Sequence, residues 1–159
     1  MQPKTMITPE LTVAAIVERE ARFLMVEEKV KGVTVLNQPA GHVEAGESPI
    51  DAVVRETREE TAWGFTPVAI TGVYMWQAFE QRPDIMRYVF CGECYDHDSM
   101  QTLDDGIITT HWLSYEELQG ADDKLRSPMV LRAIDDYRAE QRYPLALLHI
   151  IPGEAANRE

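Results

Sequence analysis

The sequence predicts an α+β fold built on a mixed sheet with helices at its flanks. Three observations carry this. Short apolar runs bounded by turn residues crowd the middle of the chain. Segments with helix-start signals stand beside and after them. A hydrophobic content of 45% over 159 residues suffices to bury a core in a chain of single-domain length, so one domain over residues 1–159 is expected.

LTVAAIV (11–17) reads as a buried strand and FLMVEE (23–28) as its hairpin partner, with EREAR between them as the turn. VTVL (33–36) is a short third strand. Pro39 and Gly41 break the pattern in NQPAG (37–41), and the loop is expected to run on to Gly46. Ser48 then precedes Pro49, with Asp51 three residues after the serine. This resembles a capping box and predicts a helix from Pro49 to about Ala62, stopped by Gly64. FTPVAITGVYMW (65–76) reads as one or two strands; MRYVFCGECY (86–95) and IITTHWL (107–113) each read as one more. SYEELQ (114–119) is a short helix capped by Ser114, with Glu117 at the third position. A last helix is predicted from about Ser127 to Gln141, again with proline at its start.

The net charge of -12, with no basic patch, argues against a nucleic acid polymer as partner. The N-terminus has no apolar core of signal length, and no apolar run reaches transmembrane length. A cytoplasmic protein without a membrane partner is expected, as monomer or homodimer. Cys91 and Cys94 form a C-x-x-C, but it falls within a predicted strand, where positions three apart face opposite sides of the sheet. No second cysteine pair completes a zinc site, so two structural thiols are the better reading.

The chemistry concentrates in GHVEAGESPIDAVVRETREETAW (41–63), which holds Glu44, Glu47, Glu56, Glu59 and Glu60 against Arg55 and Arg58. At roughly 100° per residue, Glu56, Glu59 and Glu60 share an arc of about 100°. Ile50, Val53, Val54, Thr57 and Thr61 form a separate, mostly apolar face. A solvated acidic stripe is the bland account, but it is unfavourable. Glu56 and Glu60 repel at i,i+4, and Glu59 and Glu60 sit toward the helix C-terminus, where the macrodipole disfavours anions. A divalent cation reverses each of these terms, and hard oxygen ligands at this density suit Mg2+ or Mn2+. The metal would also supply the positive charge that a phosphate-bearing substrate needs and this acidic chain lacks. Arg55 is placed to pair with Glu59 at i+4 or to reach Glu47 in the preceding loop, a positioning role in either case.

Gly41, Glu47, Arg55, Glu56, Glu59 and Glu60 stand at the spacing of the Nudix box, and the stretch resembles that signature of the Nudix hydrolases. Ala62 stands where the family usually has its final glycine, and Thr57 where an aliphatic residue is usual. NQPAGH (37–42), RSPMV (126–130) and QRYPL (141–145) extend the resemblance to bacterial Nudix phosphatases of the NudJ type. The resemblance implies an α/β/α sandwich around a mixed sheet. It implies Mg-dependent hydrolysis of nucleoside tri- and diphosphates, and of a thiamine-pathway pyrimidine pyrophosphate, with release of orthophosphate. It also implies that Glu56, Glu59, Glu60 and the backbone carbonyl of Ala40 face the metal.

A carboxylate near the metal-bound water serves as general base in such chemistry, and Glu59 or Glu56 is the choice here. Glu93, Asp104 and Asp105 are candidates from outside the box, although the two aspartates read first as turn formers. For the substrate, Trp76, Tyr74, Phe79, Tyr88 and Trp112 are possible stacking surfaces, with Trp76 foremost. Arg87 is a candidate to hold a phosphate, or else a cross-strand ion pair. Gln38 and His42 flank the loop and are expected to line the pocket, while His97, His111 and His149 receive no role. The rivals are a Nudix hydrolase for another diphosphate linkage, such as ADP-ribose or a dinucleoside polyphosphate, and a non-catalytic Nudix binding module. The retained glutamates weigh against the module. No EF-hand loop supports a calcium-binding regulator.

Overall fold

The computed structural model describes residues 6–77 and 82–153. The chain runs through β1 (Glu10–Ile16), β2 (Glu18–Arg19), β3 (Arg22–Val30), β4 (Val33–Asn37), β5 (Ala40–His42), α1 (Pro49–Thr61), β6 (Gly64–Trp76), β7 (Ile85–Tyr95), β8 (Ile107–Ser114), α2 (Tyr115–Gly120) and α3 (Pro128–Arg138). Two sheets form. One has the order β5-β1-β7-β6, with β1 and β7 parallel and the other pairs antiparallel; the second centres on β3, which pairs with β2, β4 and β8.

Helices cover both faces. Val130, Ala133 and Ile134 of α3 pack with Ala14, Ile16 and Met25 in one core. Ala52 and Val53 of α1 pack with Val13, Ala15, Leu24 and Phe90 in the other. The result is an α/β/α arrangement around mixed strands. The alternating assignment of β1 residues to the two cores explains its unbroken apolar run: both faces are buried. Cys91 and Cys94 are free and lie in opposite cores, as their spacing on a strand requires.

Three expectations need correction. β3 is not the hairpin partner of β1. The hairpin is made by the two-residue β2, with Glu20 and Ala21 at φ 47° and 59° in its turn, while β1 belongs to the other sheet. The joint between the sheets is the bond from the Leu24 N–H to the Val17 carbonyl, 3.0 Å. An apolar run buried on both faces carries no alternation that could name its neighbour. Second, Ala40–His42 is not loop but strand, antiparallel to β1; three residues are too few to show a period. Third, α3 ends at Arg138 rather than Gln141. Glu140 adopts φ 61°, which turns the chain back so that Tyr143 and Ile70 exchange two backbone bonds of 2.8 Å.

The C-terminal end of α1 positions the site. Ala62 caps it in the left-handed region, φ 60°, and returns its N–H to the Arg58 carbonyl. The segment before β8 donates to carbonyls at this helix end: Gln101 Nε2 to Arg58 (2.6 Å), and the N–H groups of Asp98 and Asp104 to Ala62 (3.0 Å) and Glu59 (2.9 Å). Capping the helix in this way carries Asp104 to the side of Glu59.

Candidate active site

The acidic face of α1 is largely buried. Glu56 and Glu60 are buried, with Thr57 and Thr61 beside them returning their hydroxyls to the carbonyls one turn back. Glu59 is half exposed. Oxygens of Glu56, Glu59 and Asp104 lie within 4.8 Å of one another, a convergence of three hard ligands. Gly41 makes room for it, since a Cβ there would sit 2.1 Å from the Glu56 carboxylate carbon.

Arg55 answers both expectations at once. Its Nε and Nη2 donate to the two oxygens of Glu47 at 2.7 and 3.0 Å, a bidentate lock between loop and helix. Its Nη1 donates to Glu56 (2.9 Å) and Glu59 (3.1 Å), and Nη2 also reaches the His42 carbonyl at 3.0 Å. The guanidinium therefore holds three box carboxylates in place. Its hydrogen bond to Glu47 keeps that carboxyl below the usual range. Burial raises Glu56 despite Arg55, and burial pushes Glu60 up to about 9.

Glu60 stands outside the converging trio. It accepts the Ala40 N–H at 2.9 Å, so the Ala40 group seen in contact with the acidic face is the amide. Glu93 and Asp105 are exposed and also outside the trio. Asp104 does both things weighed for it: its carbonyl accepts the Ile107 N–H in the turn at Gly106, and its side chain joins the trio.

His42 is exposed and pairs with Glu10 at 2.9 Å, whereas Gln38 is fully buried and donates to the Val130 carbonyl at 3.1 Å. Arg87 is buried on β7 and makes no cross-strand ion pair among the described residues; its Nε donates to Thr12 on β1 at 3.2 Å. Burial, with Arg126 nearby, lowers it to about 10, while Glu28 and Glu60 act the other way. Tyr74 and Trp76 line a groove of about 910 Å3 between β6 and α3. Tyr88 and Trp112 pack instead against the α1-side core, and Phe79 lies outside the described residues. His97 stacks on Trp63, and His111 pairs with Glu27. Thr12, Glu28 and Asn37 do not stand out individually in the sequence, and Ser127 does so only as a helix start. A threonine inside an apolar run was the available signal for the first.

This geometry meets an independent match: the NUDIX domain profile covers residues 8–133. The chain belongs to the Nudix hydrolase family. The phosphatase NudJ of Escherichia coli is 38% identical to this Nudix hydrolase over 143 residues, spanning 90% of this chain and 92% of that one. A NUDIX hydrolase from Nitrosomonas europaea superposes with a TM-score of 0.89 at 40% identity, over 92% of this chain and 100% of the other. The MutT protein of Methanosarcina mazei, at 24% identity, shares the fold with a TM-score of 0.68 over 87% of this chain and 100% of its own. Among the described residues no helix is long and apolar enough to cross a membrane.

Proposed function

We propose that this Nudix hydrolase is a metal-dependent phosphatase that cleaves phosphoric anhydride bonds of nucleoside tri- and diphosphates and of a pyrimidine pyrophosphate, releasing orthophosphate. The observation that carries the reading is the convergence of Glu56, Glu59 and Asp104. The similarity to a phosphatase over nine-tenths of the chain supports it. Three carboxylates suit Mg2+, with Mn2+ as the alternative, and the second oxygen of Glu60 and the Ala40 carbonyl complete the ligand set that the family resemblance implies. When bound, the ion supplies Lewis acidity toward phosphate oxygens and a lowered pKa for water.

The chain's own residues do the rest. Glu59 is the general base, because its half-exposed carboxylate can face an incoming water while Arg55 holds its orientation. Glu56 is fixed between Arg55 and Gly41 and contributes charge at a constant position. Glu47 and Arg55 are positioning residues that keep loop and helix in register. Trp76 at the groove is the stacking surface for a base.

A panel of nucleotides and pyrimidine pyrophosphates with Mg2+, scored separately for orthophosphate and pyrophosphate, tests the reading. Orthophosphate as the main product is expected. Pyrophosphate, or two mononucleotides from a dinucleoside polyphosphate, would assign the enzyme to another linkage.

A further inference from the structure

Asp104 is the one member of the converging trio that does not come from α1. It arrives on the connection between β7 and β8, residues 96–106. None of these residues is buried; Gln101 and Leu103 are half-buried and the rest are exposed. A segment of this kind has little apolar area to fix it, so its position depends on polar contacts. Charge works against the position as well. Asp104 adds to the unfavourable negative charge around Glu56 and Glu60. Arg55 touches Glu44, Glu47, Glu56 and Glu59, whereas among the described residues no ion pair reaches Asp104.

The contacts that hold the segment all fall on one helix end. Arg58 takes part twice. Its Nη1 donates to the Asp96 carbonyl at 2.7 Å, and its own carbonyl accepts Nε2 of Gln101 at 2.6 Å. The same Nη1 donates to the Ala62 carbonyl at 3.1 Å, which also accepts the Asp98 N–H at 3.0 Å. His97 stacks on Trp63 with ring centres 4.7 Å apart. The Asp104 N–H then donates to the Glu59 carbonyl at 2.9 Å. Every one of these partners lies between Arg58 and Trp63.

Helix capping alone does not account for the pattern. The backbone N–H groups of Asp98 and Asp104 serve that purpose, and the Arg58 carbonyl already accepts the Ala62 N–H at 2.9 Å. Gln101 brings a second donor to a carbonyl already served. Its effect is therefore on the segment: it pins the residue three before Asp104. We propose that Arg58 and Gln101 are positioning residues for divalent-ion binding, which together clamp the 96–106 segment to the end of α1 and present the Asp104 carboxylate to Glu56 and Glu59. The proposal rests on the metal reading of the trio. Two neighbouring arginines then have separate tasks: Arg55 orders the acids of the helix and its loop, and Arg58 orders the acid that comes from elsewhere. Ligands held in place by their supporting contacts bind an ion more tightly than ligands that must first be gathered.

Titration of the whole protein with Mn2+, followed by the EPR signal of the free ion, tests the clamp without reference to turnover. Asp104→Asn should weaken Mn2+ binding at least about tenfold. Gln101→Met keeps the length of the side chain and removes the donor. It should weaken Mn2+ about tenfold, as loss of a contact behind a metal ligand does, with the metal-free melting temperature nearly unchanged. Because Gln101 acts through Asp104, the double variant should bind Mn2+ no more than about twofold weaker than Asp104→Asn alone. Arg58→Lys, which keeps the charge and loses the fork, should weaken Mn2+ and couple to Asp104 in the same way. Wild-type affinity in Gln101→Met beside a weakened Asp104→Asn, or losses that add in full in the double variant, would overturn the clamp and leave Asp104 as a ligand. Wild-type affinity in Asp104→Asn would instead count against the trio as a metal site, and the clamp would fall with it.

Discussion

Two helices in this molecule begin with the same dipeptide, and the two serines have opposite fates. Ser48 before Pro49 accepts the Asp51 N–H at 3.1 Å, donates to the Asp51 carboxylate at 2.7 Å, and completes a capping box. Ser127 before Pro128 makes no cap bond, although its backbone is equally extended. The difference lies three residues on. α1 has an aspartate there to return the bond, whereas α3 has Val130, buried in the core. Ser-Pro therefore marks a helix start in both places but a structural hydroxyl in only one.

The comparison can be broken from either side. The largest effect is expected on the functional face of α1: Glu59→Gln should lower kcat by about a thousandfold with the melting temperature nearly unchanged, measured by phosphate release and thermal unfolding. Near-normal turnover would remove Glu59 from the mechanism. Next is the scaffold under that face. Arg55→Ala should destabilise the metal-free protein by about 2 kcal/mol, since it leaves Glu47 and Glu56 unpaired at partly buried positions. Urea unfolding reads this directly, and Mg2+ should recover more stability in the variant than in the wild type.

The pH dependence of that scaffold has a definite sign. Because Arg55 holds the Glu47 carboxyl below its ordinary value, the pair stabilises the fold above the unfolded-state value and loses this as pH falls through the folded one. The stability gap between wild type and Glu47→Gln should thus be full at neutral pH and close in acid. A gap independent of pH would mean that the ion pair contributes nothing.

Smaller effects separate the two serines. Ser48→Ala should cost about 1 kcal/mol, whereas Ser127→Ala should leave stability within about 0.5 kcal/mol of wild type. Equal losses would show that Ser127 caps α3 after all. Smallest is Ala62→Gly, which restores the usual box residue. Relief at φ 60° is offset by the lost buried methyl and the freer unfolded chain, so the net change should stay under about 0.5 kcal/mol.

What was legible in the sequence follows a physical line. Glu47, Arg55, Glu56 and Glu59 lie on one helix and the loop that enters it, so spacing alone placed them together, and both pairings weighed for Arg55 occur. Helix starts at Ser48 and Ser114 were readable because capping is local, and the start at Ser127 because proline follows it. Asp104 was weighed mainly as a turn former, since it reaches Glu59 only through a segment that caps a distant helix end. The partners of β1 were hidden because a strand buried on both faces has no pattern to declare them. The Arg87 contact with Thr12 depends on that parallel pairing and was hidden with it.

Arg55 has one more consequence. A resident guanidinium already in touch with Glu47, Glu56 and Glu59 means that these acids do not wait for an ion before they can assemble. If an ion binds these acids as proposed, a newly made chain would not need it to reach its native shape and could load it afterwards. Scarcity of the metal would then silence the enzyme while leaving a stock of intact molecules ready to resume work.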